Sequence, residues 1–133
     1  MAIQLSVNCR NGRLDAIETE FGASPKLKIR TLSQPADCAA ADVGTVLATF
    51  DLPSDAMAAA SGGTKAKSGT WQETAADGTG TAAHFRLYKT DGTTCVMQGS
   101  VGAGSGDLSL DSVSITTGQQ VTINTFTITD ANA

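Results

Sequence analysis

Apolar and polar residues alternate along most of the chain after residue 25, a pattern typical of half-buried β-strands. The clearest case is residues 81–101, TAAHFRLYKTDGTTCVMQGSV, in which two alternating runs flank Asp91-Gly92. That dipeptide between two such runs predicts a β-hairpin whose turn has positive φ at both central positions. The pattern therefore predicts a mainly β fold.

The same alternation predicts about seven strands, separated by turns rich in glycine. They cover residues 27–32, 45–52, 70–74, 82–89, 94–101, 108–115 and 120–129. Short, regularly spaced strands with little helix between them favour an antiparallel β-sandwich of jelly-roll type over a parallel α/β sheet. Residues 53–63 interrupt the series with a predicted helical turn that Ser54 or Asp55 caps.

Two of the predicted strands change the parity of their apolar positions partway along. Val121 and Ile123 share one parity, whereas Phe126 and Ile128 share the other, and residues 108–115 change in the same way. A half-buried strand keeps its core residues two apart. We therefore expect, at each change, either a β-bulge or a passage of the strand from one sheet to another.

The N-terminal residues follow a helical period instead. The apolar positions that fall on one helix face are Val7, Leu14, Ile17 and Phe21. A glycine and a proline then end the segment, and Asn11-Gly12 is a weak point at which the helix could begin late. We therefore divide the chain into an N-terminal helical or extended arm, residues 1–24, and a β-sandwich domain, residues 25–133.

The apolar stripe of this short amphipathic arm must be buried, either on its own domain or on a partner subunit. For the second alternative, the candidate partner interface consists of Val7, Arg10, Leu14, Ile17 and Phe21.

The charge pattern argues against nucleic acid as a partner. The formal net charge is -4, and all nine Lys and Arg residues lie at or before Lys89. Residues 26–30 and 65–67 carry the densest positive charge, and they fit the solvated side of a strand or loop. No apolar run is long enough to span a membrane, and the N-terminus lacks a secretory signal, so we expect synthesis in the cytosol.

None of the titratable residues falls in a catalytic pattern. His84 alternates with Phe85, so we expect it on a polar face with Arg86 and Tyr88, in a structural or exposed position. Residues 102–106 are glycine-rich but lack the ending of a phosphate loop, and predict a flexible loop. We therefore predict no enzyme activity and no cofactor.

The sequence also contains no pattern that predicts a metal site or a disulfide. Asp107 and Asp111 lack the spacing of a calcium loop and fit strand-edge solubility residues. The three cysteines contain no CxxC pair, so no metal site is predicted and idle thiols are the default. Whether Cys38 and Cys95 pair in a protein that leaves the cell stays open at this point.

Four stretches together look like small structural proteins of tailed bacteriophages. They are RLDAIETEFGASPKLKIRT (13–31), PADCAAADVGTVLATFDLPSDAMAAASGG (35–63), GTWQETAADGTGTAAHFRLYKTDGTTCVMQGSV (69–101) and VTINTFTITDANA (121–133). The resemblance implies a virion component that is made in the cytoplasm of the bacterial host. A compact β domain with an amphipathic arm is similar to proteins that decorate or cement a capsid and so stabilise the head. No catalytic residue is carried over.

The resemblance also implies the partners. We expect the major capsid protein or other virion proteins, together with a homo-oligomer in which a trimer is favoured, and neither nucleic acid nor membrane. Two alternatives remain open. One is a head-tail joining or tail-fibre component, and the other is a carbohydrate-binding module that uses Trp71 and Tyr88.

Overall fold

The computed structural model describes residues 3–132, and this part of the chain is mainly β with one helix. The elements are α1 (Val7–Phe21), β1 (Lys26–Arg30), β2 (Val46–Asp51), β3 (Thr64–Ala66), β4 (Trp71–Glu73), β5 (Gly80–Thr81), β6 (His84–Tyr88), β7 (Cys95–Ala103), β8 (Leu108–Leu110), β9 (Ser114–Ile115), β10 (Val121–Ile123) and β11 (Thr125–Thr129). No helix among the described residues combines the length and apolar character needed to cross a membrane.

The strands form three sheets around one core. The largest sheet has the order β2-β1-β6-β7-β8-β11-β3, and two small sheets pair β10 with β4 and β5 with β9. Every named pairing is antiparallel except that of β7 with β8, which is parallel. The prediction of an antiparallel arrangement is therefore wrong at this one pair, and the sheet is mixed.

The parallel pair depends on a short, glycine-rich connection. Parallel neighbours usually need a long crossover. Here β8 pairs only with the last three residues of β7, and its first residue lies beside Val101. Residues 104–107 therefore only have to bring the chain back by the length of those three residues. Gly104 and Gly106 take φ angles of 69° and 80°, which glycine adopts freely. The stretch expected to be a flexible loop is thus a tight return between two paired strands.

Both predicted changes of parity are passages between sheets. β10 pairs with β4 in a small sheet, whereas β11, after Asn124, joins the large sheet. β8 likewise belongs to the large sheet and β9 to the other small one. By passing from one sheet to another, the chain keeps the apolar residues on both sides of each change facing the protein interior. Of the two expected alternatives, the passage between sheets is therefore confirmed, and the β-bulge is not found at these positions.

The predicted hairpin is present, with a longer turn than expected. β6 and β7 pair antiparallel, and Lys89 N donates to Thr94 O at 3.0 Å to close the loop. Gly92 has φ 71°, while Asp91 does not have a positive φ. The expectation of positive φ at both positions is therefore wrong, because a loop of residues 90–93 needs only one left-handed residue to turn the chain.

Helix α1 is continuous through Asn11-Gly12 and packs on its own domain. The Ser6 side chain accepts a hydrogen bond from Cys9 N at 3.2 Å and so caps its start. At its end Gly22 N donates to Glu18 O at 3.0 Å. Phe21 is 1% exposed and belongs to the central hydrophobic cluster. The helix and the strands therefore share one core.

The aromatic centre of the core is formed by Trp71, Phe85 and Phe126. Ring centroids lie 5.6 Å apart for Trp71 and Phe126, and 5.5 Å apart for Phe85 and Phe126. The Trp71 indole donates to Ala56 O at 3.1 Å, which satisfies its one polar group.

The helical turn predicted within residues 53–63 is absent. Ala58 N donates to Ala66 O and Ser68 N donates to Ala56 O, both at 2.9 Å. The backbone of this segment is used in long-range pairing beside β3, and none of these bonds is the local kind that a helical turn requires.

Candidate functional site

A loop of residues 31–45, here called the covering loop, connects β1 to β2 and lies over the outer face of β6 and β7. Arg86 of β6 donates to Asp37 O at 2.8 Å and to Ala40 O at 3.0 Å. Gln98 of β7 donates its side-chain amide to Pro35 O at 2.7 Å. Because the loop covers the outer face of β6 and the core covers Phe85 and Leu87 on the other face, all five residues of β6 are buried.

Asp42 is the centre of the contacts beneath this loop. Its carboxylate accepts hydrogen bonds from Arg86 at 2.8 Å, from Tyr88 at 2.7 Å and from Arg30 at 3.0 Å. Burial raises the pKa of Asp42, but the hydrogen bonds from Tyr88 and Arg86 and the charges of both arginines outweigh it, so the pKa lies below its usual value. Asp42 is thus ionised at neutral pH.

The partners of Asp42 are more deeply buried than Asp42 itself. The side chain of Arg86 is 2% exposed and that of Arg30 is 10% exposed, against 38% for Asp42. Burial and the hydrogen bond to Asp42 raise the pKa of Tyr88 to about 12. Because these charged groups pair with one another inside the protein, we infer that the network holds the covering loop against the large sheet.

His84 belongs to the same covered face. Its Nδ1 lies 2.6 Å from Leu32 O, and its Nε2 is buried without a hydrogen-bond partner among the described residues. The sequence correctly placed His84 with Arg86 and Tyr88. The expectation that residues 26–30 present a solvated face is wrong at Arg30, because the covering loop replaces water there.

Helix α1 is tied to β3 by a buried lysine. Lys65 Nζ lies 2.7 Å from Asp15 Oδ1 and 3.1 Å from Glu18 Oε2, and it also donates to Ala58 O at 3.0 Å. The Lys65 side chain is 2% exposed, so the prediction that residues 65–67 are solvated is wrong at this position. A buried ammonium needs such partners, and helix α1 supplies both of the carboxylates.

The structure divides the five residues of the candidate partner interface. Leu14 and Phe21 are 3% and 1% exposed and pack within their own domain. Arg10 donates to Asp130 O at 3.3 Å. Val7 is 42% exposed and Ile17 is half-buried. The interface stays a prediction, and only Val7 and Ile17 of its apolar members present surface to a partner.

A gap in the large sheet lies next to Ile17. β8 separates β7 from β11, but it pairs only with Val101–Ala103 of β7 and with Thr125 and Phe126 of β11. Beyond the start of β8, no strand of residues 3–132 lies between residues 95–99 and residues 127–129. We call this space the strand gap. It contains a cavity of about 310 Å³ lined by Phe85, Met97, Gln98, Asp107, Phe126, Thr127, Ile128 and Thr129.

Backbone groups of both flanking strands point into the strand gap. Ser100 N donates to Asp107 Oδ2 at 2.9 Å on the side away from β6, and Gln98 faces the same way because backbone direction alternates along a strand. Phe126 O accepts from Lys67 N at 2.9 Å on the β3 side, so Thr127 faces the gap. Where β8 lies between them, β7 and β11 are two strand spacings apart, which is about 10 Å.

Half-buried apolar side chains line the cavity of the strand gap or the cavity next to it. They are Ile17, Val96, Met97 and Ile128, and each packs against the edge of the core. A second cavity, of about 380 Å³, lies between α1 and β7 beside Val96 and Met97. The arrangement combines free strand edges with an apolar border, which is the chemistry that binds an extended peptide by strand addition.

The other sequence candidates have structural positions. Trp71 and Tyr88 are 1% and 0% exposed, so neither ring can stack against a sugar in this structure. The Asp107 carboxylate accepts a hydrogen bond from the Ser100 hydroxyl group. The Asp111 carboxylate accepts one from the side-chain amide of Asn124 at 2.6 Å. The described residues contain no cluster of three or more His, Cys, Asp or Glu that could hold a metal ion.

Two features of the site were missed from the sequence. Nothing distinguished Asp42 from other exposed acids, and the strand gap depends on where β8 begins. Comparison of the chain with protein-family models, with curated proteins and with solved structures gives no match.

Proposed function

We propose that this protein is a non-enzymatic structural component of a tailed-bacteriophage virion, and that it decorates or cements the capsid. The resemblance of the four stretches described above supports the virion, and the strand gap supports a binding role. We further propose a sandwich of jelly-roll type, since three sheets enclose one core, and a trimeric assembly.

The observation that carries the binding role is the pairing of free strand edges with an apolar border at Met97 and Ile128. An extended segment of the major capsid protein, or of another virion protein, would continue the row of β8 between β7 and β11. Its backbone would pair with Gln98 and Thr127, and alternate side chains would cover the apolar border.

Such an attachment also accounts for a cementing role. A copy that contacts several neighbouring capsid subunits binds each further contact at high effective concentration, which raises the force needed to separate them. The proposed benefit is greatest when the head is under stress, because packed DNA exerts outward pressure on the shell.

The test is a phage from which this gene is deleted. We expect particles that assemble but release DNA at lower temperature than the wild type, with stability restored when the purified protein is added back. Fluorescence of a DNA-binding dye during heating measures the release. Particles with fully stable heads that lack tails or fail to adsorb would contradict decoration and favour the head-tail joining or tail-fibre alternative.

A further inference from the structure

Two cysteine side chains from distant parts of the chain meet on the outer face of the large sheet. Cys38 lies in the covering loop, and Cys95 is the first residue of β7, paired with Tyr88 of β6. The Cys38 side chain lies close enough to Cys95 to raise the pKa of its thiol, and Cys95 Sγ donates to Met97 O at 3.5 Å. Both residues are half-buried, whereas the remaining cysteine, Cys9, is exposed on α1.

The backbone around Cys38 is fixed to the strands beside Cys95. Arg86 donates to the carbonyl groups of Asp37 and Ala40, which lie on either side of Cys38, at 2.8 Å and 3.0 Å. Arg86 belongs to β6, the strand that pairs with the start of β7. These hydrogen bonds therefore hold the backbone around Cys38 next to the start of β7, where Cys95 lies.

We propose that Cys38 and Cys95 form an intramolecular disulfide when the folded protein meets a small-molecule disulfide oxidant such as oxidised glutathione. The bond would fasten the covering loop covalently to β7. This inference goes beyond the proposed function and does not depend on it.

The exchange reaction balances with two molecules of reduced glutathione. Burial, together with the neighbouring Cys38 side chain, raises the pKa of the Cys95 thiol to about 12, so Cys95 is protonated at neutral pH. The Cys38 thiolate attacks one sulfur of the oxidant and one glutathione thiolate leaves. Cys95 then loses its proton to solvent, its sulfur attacks Cys38, and the second glutathione leaves. The two thiols lose two protons and two electrons, which the oxidant takes up.

The compartment decides which form is populated. In a reducing cytosol both residues remain thiols, and in an oxidising medium outside the cell the disulfide forms. The closed loop between Cys38 and Cys95 is long, so the cross-link restricts the unfolded chain strongly. We expect the oxidised protein to melt roughly 10 °C higher than the reduced protein.

The experiment oxidises the purified full chain with oxidised glutathione at about pH 8 and counts free thiols after denaturation. We expect both Cys38 and Cys95 to lose their free thiols, whatever happens at the exposed Cys9. In the Cys9→Ser variant, which has no exposed thiol to take up glutathione, intact mass should fall by about 2 Da, as the loss of two hydrogen atoms requires. Peptide mapping should recover Cys38 linked to Cys95.

Single variants provide the controls. Cys9→Ser should still lose both remaining thiols and gain thermal stability on oxidation. Cys38→Ser and Cys95→Ser should instead retain a thiol or carry a glutathione adduct, without the gain in melting temperature. The proposal is overturned if the wild-type chain keeps all three thiols in oxidised glutathione, or if the mapped disulfide contains Cys9.

Discussion

The hydroxyl group of Tyr88, on β6, donates a 2.7 Å hydrogen bond to Asp42 of the covering loop. Tyr88 is fully buried, and it is the single tyrosine of the chain. The bond links a loop to the centre of the large sheet, and its state can be followed by absorbance without any label.

We predict that Tyr88 titrates with a midpoint near pH 12 in the folded protein. Burial, supported by the bond to Asp42, raises its pKa to about 12, against about 10 for an unfolded tyrosine. A raised folded pKa contributes stability that is complete below about pH 10 and is lost as the pH rises toward 12. Ultraviolet absorbance of tyrosinate measures the midpoint, with the chain in denaturant as control. A native midpoint near pH 10 would contradict the buried hydrogen bond.

A second prediction concerns Asp42 itself. Asp42→Asn leaves Arg86 and Arg30 buried without their anionic partner, and unpaired buried charge is costly. Because Asp42 is partly exposed, we expect a loss of about 2 kcal/mol in the free energy of unfolding, below the full range for buried pairs. Urea denaturation measures the loss. Asp111→Asn, which changes an exposed acid that accepts a hydrogen bond from Asn124, should cost less than about 0.5 kcal/mol.

The covered face shows what sequence alternation can and cannot reveal. It correctly placed His84, Arg86 and Tyr88 together, because side chains two apart share a face. It could not show that a loop covers them, since polar residues have the same pattern beneath water and beneath a polar loop. Asp42 lies 44 residues from Arg86 and 46 from Tyr88, and no local signal connects them.

Strand length limited the other predictions. The parity changes at residues 108–115 and 120–129 revealed both passages between sheets, because several apolar residues stand on each side of the change. β3 and β5 were missed, since three and two residues are too few to establish a period. The strand gap was missed for a related reason: it exists only because β8 is shorter than the strands beside it.

A third prediction tests the close contact of two strands near the gap. A Cβ atom at Gly99 would lie 2.7 Å from Phe85 Cε1 and 2.9 Å from Asp107 Oδ2. We therefore expect Gly99→Ala to lower the free energy of unfolding by about 1–3 kcal/mol through overpacking. Gly12→Ala is the matched control, because nothing lies within 4 Å of its Cβ position. In the middle of α1 it should stabilise the protein by about 0.5–1 kcal/mol. Equal effects at both positions would contradict the packing described here.

A fourth prediction concerns the N-terminal arm. Phe21→Ala should destabilise the protein by about 3–5 kcal/mol, because Phe21 is 1% exposed within the shared core. Val7→Ala, at an exposed position of the same helix, should change stability by less than about 0.5 kcal/mol. Deletion of residues 1–22 should therefore yield a poorly folded protein. A truncated chain with a wild-type melting temperature would show that the helix is dispensable to the core.

The last prediction separates the strand gap from the rest of the surface. Val96→Lys places a charge on its apolar border, where an added strand would have to bury it, and burial of an unpaired charge is strongly unfavourable. We expect binding to particles that lack the protein to weaken by at least about tenfold. Val43→Lys makes the same change in the covering loop, at a residue that is 38% exposed.

Both lysine variants must first be shown to melt as the wild type does, so that binding reports on the surface alone. Co-sedimentation with particles then measures affinity. If Val43→Lys weakens binding and Val96→Lys does not, the covering loop is the contact surface and the strand gap is not. If both bind as the wild type does, attachment uses neither surface. Weakening by Val96→Lys alone is the result that strand addition requires, because only that charge would lie against the incoming segment.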